Sequence, residues 1–379
     1  MKKLFILALA LAIAISSLTP FAYAKKISGN GMSLSAKSAI VIEAGTGRIL
    51  YAKNDRTKLP MASTTKIMTS LITLEQQGLD ENFVVDENAI KVEGTSMGLK
   101  TGDTVSLRTL ATGMLLASGN DGSNAAAVRI SGSIAAFTLL MNSKAKEIGM
   151  ADTSFSTPSG LDGEGHYSTA YDMALLAAYA LQNPSFADIC NKTSAKVVYG
   201  NPPYRRILTN HNRLLKEYDG CIGVKTGFTK KSGRCLVSAA ERNGVRLVAV
   251  TLNASDDWND HKRLFDYGFS VTTLITINNA SHKLTIPVVG GEQKSVTACV
   301  TEDIRAALTP EQSGAVTTRE YAHKFLYAPV PAGTVVGRVD YLYNDKVIAT
   351  ANLQVLENID TKQAPAKRRS LFSWIKDLF

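Results

Sequence analysis

The sequence predicts an α/β fold with a mainly antiparallel sheet, followed by a small β-rich domain. Runs of strand character stand on both sides of a block with helical periodicity. From about residue 278 onward, short β-rich runs alternate with Gly, Pro and Asn. Strands that flank a helical middle are typical of a layered α/β domain, and 379 residues suffice for two such units.

The first elements are a β-hairpin and a helix. Residues 38–50 contain apolar runs on either side of Gly45-Thr46-Gly47, which can form the turn. Apolar residues then recur at helical spacing over 67–74, and we expect Gly78 to end this helix. The sequence predicts further helices at 107–117, 122–130, 135–148 and 173–181. Thr169 and Asp172 have the spacing of a capping box ahead of the last of these.

Strand character returns in the second half of the chain. Asn243-Gly244 is a hairpin signal between two of three expected strands, and a helix is expected at 257–267. The three strands are expected at 223–228, 235–240 and 246–252, and β-rich runs follow at 284–286, 295–300, 335–342 and 346–355. The expected division is therefore 25–277 for the first domain and 278–360 for the β-rich domain.

The N-terminus has the pattern of a secretory signal peptide. Lys2 and Lys3 precede an apolar run over 4–15, and Ala22-Tyr23-Ala24 is a suitable cleavage site. The alternative is a transmembrane helix, but this apolar run is too short to span ~30 Å of hydrocarbon comfortably. We therefore expect 1–24 to be removed on export, which leaves the protein on the outer face of the cytoplasmic membrane.

The C-terminus predicts a linker and an amphipathic anchor helix over 361–379. Lys367-Arg368-Arg369 precede apolar residues that share one helical face, while polar residues take the other. The alternative is a helix that docks on the protein's own body. Five basic residues and one acid lie in 362–379, so much of the net charge of +9 belongs to this tail. This distribution favours an anionic membrane surface and argues against nucleic acid.

The cysteine and histidine spacings predict no metal site. Cys190, Cys221, Cys235 and Cys299 contain no CxxC pair, and the five histidines have no zinc-binding spacing. We expect buried free thiols, although an exported protein can also form a disulfide.

Ser63 and Lys66 are the first candidate catalytic pair. A serine and a lysine three residues apart share one helical face, and a neutral lysine can take the serine proton. The spacing alone is weak, since Ser143 and Lys146 repeat it, as do 373 and 376 in the tail. Both repeats are better interpreted as solvated helix faces.

Two further motifs follow in the chain. Ser118-Gly119-Asn120 lies between two predicted helices, where a hydroxyl and a carboxamide can relay a proton and hold a substrate, or simply cap a helix. Tyr199-Gly200-Asn201 is a possible substitute without the interhelical setting. Lys225-Thr226-Gly227 is predicted on a strand edge that can bind a carboxylate, whereas Lys100-Thr101-Gly102 is better explained as a loop.

The three motifs together resemble the D-alanyl-D-alanine carboxypeptidases, low-molecular-weight penicillin-binding proteins with SxxK, SxN and KTG boxes. The flanking residues carry the same resemblance, including 59–69, 116–121, 223–229 and 159–169. It implies a β-lactamase/transpeptidase-like domain with a five-stranded antiparallel sheet beside a helical cluster. It also implies peptidoglycan stem peptides ending in D-Ala-D-Ala as substrates, and acylation by β-lactam antibiotics.

The resemblance assigns a role to each site residue. Ser63 is the nucleophile and Lys66 its base, while Ser118 passes the proton on and Asn120 holds the substrate. Lys225, Thr226 and Gly227 bind the terminal carboxylate region, and the N–H groups of Ser63 and Phe228 form the oxyanion hole.

One departure concerns an arginine that many relatives carry after the last strand. No arginine stands in 253–261, so Lys225, Thr226, Arg234 or Arg263 must hold the carboxylate. Two rival functions stay open. A β-lactamase would need a deacylating Glu-x-x-x-Asn box, which 121–224 lack, and a β-lactam sensor would carry a true transmembrane helix.

Overall fold

A computed structural model describes residues 32–277 and 282–363. The expected signal peptide and most of the expected linker and anchor helix therefore lie outside the described residues. Within the described residues, no single helix is long and apolar enough to cross a membrane. Two consecutive helices, bent by 87° relative to each other, are long and apolar enough only when they are taken together.

The first part of the chain alternates strands and helices as the sequence predicts. Its strands are β1 (Ser38–Glu43), β2 (Ile49–Lys53), β3 (Asn82–Val84), β4 (Thr104–Ser106), β5 (Ser194–Gly200), β6 (Pro203–Thr209), β7 (Cys221–Thr229), β8 (Gly233–Arg242) and β9 (Val245–Ala254). Its helices are α1 (Lys66–Leu74), α2 (Leu107–Leu116), α3 (Asn120–Ser131), α4 (Ile134–Ile148), α5 (Ala170–Ala180), α6 (Pro184–Cys190), α7 (Leu214–Glu217) and α8 (Asp257–Ser270).

The central sheet has the strand order β2-β1-β9-β8-β7, and its neighbouring strands pair antiparallel. One face packs against the helical cluster through buried residues such as Ile40, Val237 and Val248. The other face packs against α8 through Leu236, Leu247 and Phe265. Burial on both sides explains the nearly continuous apolar sequence of β8 and β9. Strand β7 forms one edge of the sheet, so its outer side is open beside the helical cluster.

Two local predictions differ from the structure. Helix α1 ends at Leu74 instead of Gly78, which lies in a turn with a left-handed φ of 63°. The capping box at Thr169 is only half formed. Thr169 accepts a hydrogen bond from Asp172 N, but the Asp172 carboxylate accepts from Asp152 N and Thr153 Oγ1 instead of returning to Thr169. The competing donors come soon after α4, 20 and 19 residues before Asp172, so the spacing within the capping box did not reveal them.

The C-terminal part is β-rich, as predicted. It contains β10 (Thr273–Ile277), β11 (Lys283–Val289), β12 (Ser295–Val300), β13 (Ile304–Leu308), the short helix α9 (Pro310–Ser313), β14 (Thr317–Ala322), β15 (Leu326–Tyr327), β16 (Val335–Tyr343) and β17 (Lys346–Val355). Six strands form a sheet in the order β14-β16-β17-β12-β11-β15, and β10 pairs with β13. A separate apolar core that includes Ile286, Val339 and Leu353 supports this sheet. The fold class expected from the sequence, a transpeptidase-like domain followed by a small β-rich domain, is confirmed.

All four cysteines are free thiols. Cys190 and Cys235 are buried, and burial raises the pKa of Cys190 to about 12 and that of Cys235 to about 11. These groups are therefore protonated at neutral pH and poor nucleophiles.

Candidate active site

Ser63 lies in a single 3-10 turn, Ala62–Thr65, that leads directly into α1. The two threonines fix this turn, because Thr64 Oγ1 donates to Met61 O at 2.6 Å and Thr65 Oγ1 donates to Ala62 O at 2.8 Å. Ser63 is half-buried while its neighbours in the turn are buried. The sequence predicts Ser63 at a helix start, and the structure adds that the start is a tighter turn than an α-helix.

Lys66 is fully buried, and its side-chain nitrogen faces three oxygen atoms. Lys66 Nζ lies 3.0 Å from Ser63 Oγ, 2.6 Å from Asn120 Oδ1 and 2.5 Å from the main-chain oxygen of Ser159. Two of these oxygens are carbonyls, which can only accept hydrogen bonds. A neutral amine that donates to both carbonyls keeps its lone pair for the Ser63 hydroxyl proton.

The surroundings of Lys66 favour this neutral form. Burial, and then the positive charge of Lys225, lower the pKa of Lys66 well below its ordinary value, while the charge of Asp121 offsets them in part. Desolvation and a like charge both disfavour an ammonium ion. Lys66 therefore has the position and the electrostatic environment of a general base for Ser63.

The loop Ser118-Gly119-Asn120 joins α2 to α3 and brings Asn120 to Lys66. Ser118 is buried with a left-handed φ of 59°, and its main-chain oxygen accepts from Thr95 Oγ1 at 2.6 Å. Asn120 Nδ2 donates to Glu93 O at 2.6 Å, so both ends of its carboxamide are held. The loop that the sequence singled out is therefore a fixed part of the same cluster.

Asp121 is a contributor that the sequence reasoning missed. Its buried carboxylate accepts hydrogen bonds from Ser96 Oγ and from the main-chain N–H groups of Met97, Gly98, Leu99 and Gly122, at 2.6 to 3.0 Å. A carboxylate satisfied by several backbone donors costs little to bury. It ties residues 96–99 to the start of α3 and thereby supports the loop that carries Asn120.

Strand β7 approaches Ser63 so closely that a Cβ atom at Gly227 would crowd the serine turn. A Cβ atom on Gly227 would lie 3.0 Å from both Ser63 N and Thr64 N. The main chain of β7 therefore runs along the N–H groups of the serine turn. Phe228 directly follows Gly227, so the two residues that the resemblance assigns to the oxyanion hole, Ser63 and Phe228, lie on the two segments that meet here.

The remaining residues of this strand extend the cleft. Lys225 is buried, its Nζ donates to Thr226 O at 2.7 Å, and burial lowers its pKa to about 7. Thr226 is half-buried, and the Phe228 side chain is 65 % exposed. Burial, and then the positive charge of Lys225, lower the pKa of His211.

The segment 157–166 closes the cleft from the other side. It overlaps 159–169, which carries the family resemblance and whose His166 is predicted to be a structural histidine. Thr69 Oγ1 donates to Pro158 O at 2.6 Å, and Thr229 Oγ1 donates to Asp162 Oδ1 at 3.1 Å. His166 is buried, and Ser156 N donates to its Nδ1 at 3.0 Å. Its Nε2 therefore carries the proton and donates to Thr65 Oγ1 at 2.9 Å, so His166 braces the serine turn.

The weaker candidates lie elsewhere. Ser143 is exposed on α4, Lys100-Thr101-Gly102 forms the turn before β4, and Tyr199 is buried in β5 with its hydroxyl hydrogen-bonded to Met97 O. Arg234 pairs with Asp257 at 2.7 Å, and Arg263 donates to Ser33 O at 3.1 Å. Both arginines are thus engaged with residues near or on α8.

Ser63 lies in a 3-10 turn and the buried Lys66 begins the helix that follows, and both face the edge strand of a five-stranded antiparallel sheet. This arrangement defines a serine hydrolase with the transpeptidase-like fold. The sequence profile described as D-alanyl-D-alanine carboxypeptidase matches residues 24–256, and the profile of the penicillin-binding protein 5 C-terminal domain matches 269–361. The chain therefore belongs to the D-alanyl-D-alanine carboxypeptidase family. The serine carboxypeptidase function expected from the sequence is confirmed over the β-lactamase alternative.

Individual relatives agree with this assignment. The chain is 32 % identical to the D-alanyl-D-alanine carboxypeptidase DacF of Bacillus subtilis, across 99 % of this chain and 100 % of the relative. The crystal structure of the carboxypeptidase DacD from Francisella tularensis matches with a TM-score of 0.63 and 28 % identity, across 89 % of this chain and 97 % of that one. Penicillin-binding protein 3 of Streptococcus pneumoniae matches with a TM-score of 0.72 and 25 % identity, across 87 % and 100 %.

Proposed function

We propose that Ser63 is the residue acylated when the enzyme removes the terminal D-Ala from peptidoglycan stem peptides. The observation that carries this assignment is the position of Lys66 Nζ, 3.0 Å from Ser63 Oγ and held by two carbonyl oxygens. Among the described residues, the serine hydroxyl is the hydrogen-bond partner left for the lone pair of a neutral Lys66. The same serine would be acylated by β-lactam antibiotics.

The proposed first step is proton transfer from Ser63 to Lys66, coupled to attack on the carbonyl carbon of the penultimate D-Ala. The N–H groups of Ser63 and Phe228 stabilise the tetrahedral oxyanion. Ser118 passes the proton to the amine of the departing D-Ala. Water then hydrolyses the acyl-enzyme and releases the shortened peptide.

Substrate binding is assigned to the other motif residues. Lys225 and Thr226 bind the terminal carboxylate, and the absence of a side chain at Gly227 lets the substrate and the serine turn meet along β7. Asn120 holds the substrate amide through its side-chain carboxamide. In the free protein this carboxamide is bound to Lys66 and to Glu93 O, so the substrate would compete with both. Asn120 therefore also positions the base.

The proposal also includes the domain division and the location that the sequence predicts. Residues 25–277 would form the catalytic domain and 278–360 the β-rich domain. Residues 1–24 would direct export and be removed, and 361–379 would hold the protein peripherally on the anionic outer face of the cytoplasmic membrane. Deleting 367–379 should release the protein into the soluble fraction, and unchanged membrane association would contradict the anchor.

Intact-mass spectrometry with penicillin tests the assignment of Ser63. We expect a lasting one-to-one adduct on Ser63 and release of D-Ala from a D-Ala-D-Ala peptide. Both should be absent in Ser63→Ala. Ser143→Ala is a matched control because Ser143 has the same spacing to a lysine on an exposed helix face. An adduct that persists in Ser63→Ala would refute the assignment, and rapid drug consumption without an adduct would favour a β-lactamase.

A further inference from the structure

The C-terminal sheet carries a small group of exposed apolar side chains, which we call the aromatic ridge (Val289, Phe325 and Tyr327). Their exposed fractions are 51 %, 48 % and 70 %. Val289 and Tyr327 are paired neighbours on β11 and β15. The rings of Phe325 and Tyr327 meet edge to face with centroids 5.3 Å apart. The three side chains thus form one continuous surface at the edge of the sheet.

The chain leaves its described part next to this ridge. Lys362 N donates to Gly290 O at 2.8 Å, and Thr361 pairs with Gly291. Gly290 directly follows Val289 in the chain. The described chain therefore ends beside the strand end that carries Val289. The basic and aromatic residues of the tail 364–379 are the ones for which the sequence predicts membrane binding.

The composition of the ridge suits the interface of a bilayer. Tyrosine and phenylalanine rings are favourable at the level of the lipid headgroups, where a ring is partly desolvated and a phenol hydroxyl stays hydrated. Exposed Lys294, Lys324 and Lys362 stand near the ridge, and exposed Glu292 and Asp360 offset two of these three charges. The attraction of this surface for lipid is therefore mainly apolar rather than electrostatic.

We propose that the aromatic ridge is a second membrane contact, which inserts into the headgroup region of the lipid surface beside the C-terminal tail. Two contacts on one chain bind more tightly than one because the second association is intramolecular. They also fix the orientation of the β-rich domain on the membrane, which a tail alone would not do. The inference rests on the proposed peripheral location of the protein.

Vesicle sedimentation of the mature chain 25–379 tests this contact. With vesicles of phosphatidylethanolamine and phosphatidylglycerol, the double variant Phe325→Ser, Tyr327→Ser should partition about tenfold more weakly, given the apolar area that is lost. The matched control is Val198→Ser, Ile207→Ser. These two side chains on the β5–β6 hairpin are 57 % and 68 % exposed, and this control should bind like the unaltered chain. D-Ala release and circular dichroism verify that each variant is folded.

A second measurement locates the ridge directly. Tyr327→Trp in a Trp258→Phe, Trp374→Phe background should be quenched by brominated lipid, whereas Ile207→Trp in the same background should not be. Equal partitioning of the ridge variant and the unaltered chain, without quenching at 327, would overturn this inference and leave the tail anchor standing.

Three other results would also contradict it. Tighter vesicle binding by the ridge variant would mean that the tail docks on the ridge. A dimer lost in the ridge variant, with vesicle binding unchanged, would assign the ridge to a second copy of the chain. Failure of the unaltered chain to bind vesicles would overturn both the anchor and the ridge contact.

Discussion

Lys66 and Lys225 are both buried lysines with lowered pKa values, but the two sides of the cleft hold them differently. Lys66 has three oxygen partners, of which two belong to main-chain or side-chain carbonyls. Among the residues that the structure describes, the hydrogen-bond partner of Lys225 Nζ is the main-chain oxygen of its neighbour Thr226. On the helical side of the cleft, the hydrogen-bond partners of Lys66 are thus already in place in the free protein. On the strand side, Lys225 keeps N–H donors for an incoming group.

This difference indicates how two chemically identical side chains can take two roles. A lysine surrounded by carbonyl acceptors and close to a second cation is stabilised as a neutral base. A lysine with unused N–H groups beside an open strand edge can gain an anionic partner, and that partner would raise its pKa again. The cleft therefore needs one lysine neutral and the other charged at the same pH.

The largest effect should come from removing the base. Lys66→Met should slow acylation by penicillin by roughly 10³-fold, because Ser63 then has no group to accept its proton. Stopped-flow acylation rates would measure this loss. Lys146→Met, at the same spacing from an exposed serine on α4, is the control and should leave the rate unchanged. A rate near that of the unaltered enzyme would show that Lys66 is not the base.

A side chain at Gly227 should be the next most harmful change. In Gly227→Ala the new Cβ would lie 3.0 Å from Ser63 N and Thr64 N, so either the turn or the strand must move. Displacing one oxyanion donor typically costs about 10²- to 10³-fold in rate. We expect kcat for D-Ala release to fall by that factor, with the melting temperature little changed. An unchanged kcat would place the oxyanion site elsewhere.

The strand side should control binding and its pH dependence. Lys225 is charged below its pKa of about 7, so KM for a D-Ala-D-Ala peptide should rise as pH increases through this value. Lys225→Met should raise KM roughly thirtyfold and remove that rise.

The Lys225→Met variant also tests whether the two lysines are electrostatically coupled. The charge of Lys225 lowers the pKa of Lys66, so its removal should raise that pKa and move the acid limb of acylation to higher pH. A pH profile of kcat/KM and of acylation measures both effects. An acid limb that does not move would mean that the two lysines are not electrostatically coupled.

The smallest effect concerns stability. Folding depresses the pKa of Lys225 from 10.5 to about 7, so the unfolded chain binds more protons between these values and stability rises with pH across this window. Lys225→Met removes the cost of burying the charge and should stabilise the protein by about 1–2 kcal/mol below pH 7. Chemical denaturation at pH 6 and pH 9 tests this, since the gain should shrink at the higher pH. Equal gains would contradict the pKa assignment.

The regular elements could be predicted because their patterns are local. The Asn243-Gly244 turn, the apolar strands β8 and β9 and the periodic helix α2 all lie where the sequence predicts them. The β5–β6 hairpin was missed because it exposes Val198 and Ile207 and therefore lacks a clear alternation of buried and polar residues. The strand β10 was missed because its partner β13 lies far along the chain.

The site residues were predictable where chemistry requires a particular side chain. Ser63, Lys66, Asn120 and Lys225 were found through motifs that combine a side chain with a spacing. Asp121 and Ser159 were not, because the first supports a loop through backbone donors and the second contributes only its carbonyl. The left-handed Gly160, beside Ser159, was the available signal for a close approach of main chains.

The carbonyl of Ser159 has a consequence for genetics. Lys66 donates to a main-chain atom there, and every amino acid supplies that atom. An alanine screen would therefore score Ser159→Ala as tolerated, although the main-chain oxygen of the residue fixes the base. The same screen would mark Gly160 as intolerant, because any Cβ there would lie 2.0 Å from Ala62 O. Only backbone chemistry, such as an ester in place of the 159–160 amide, would reveal which of the two neighbours touches the catalytic lysine.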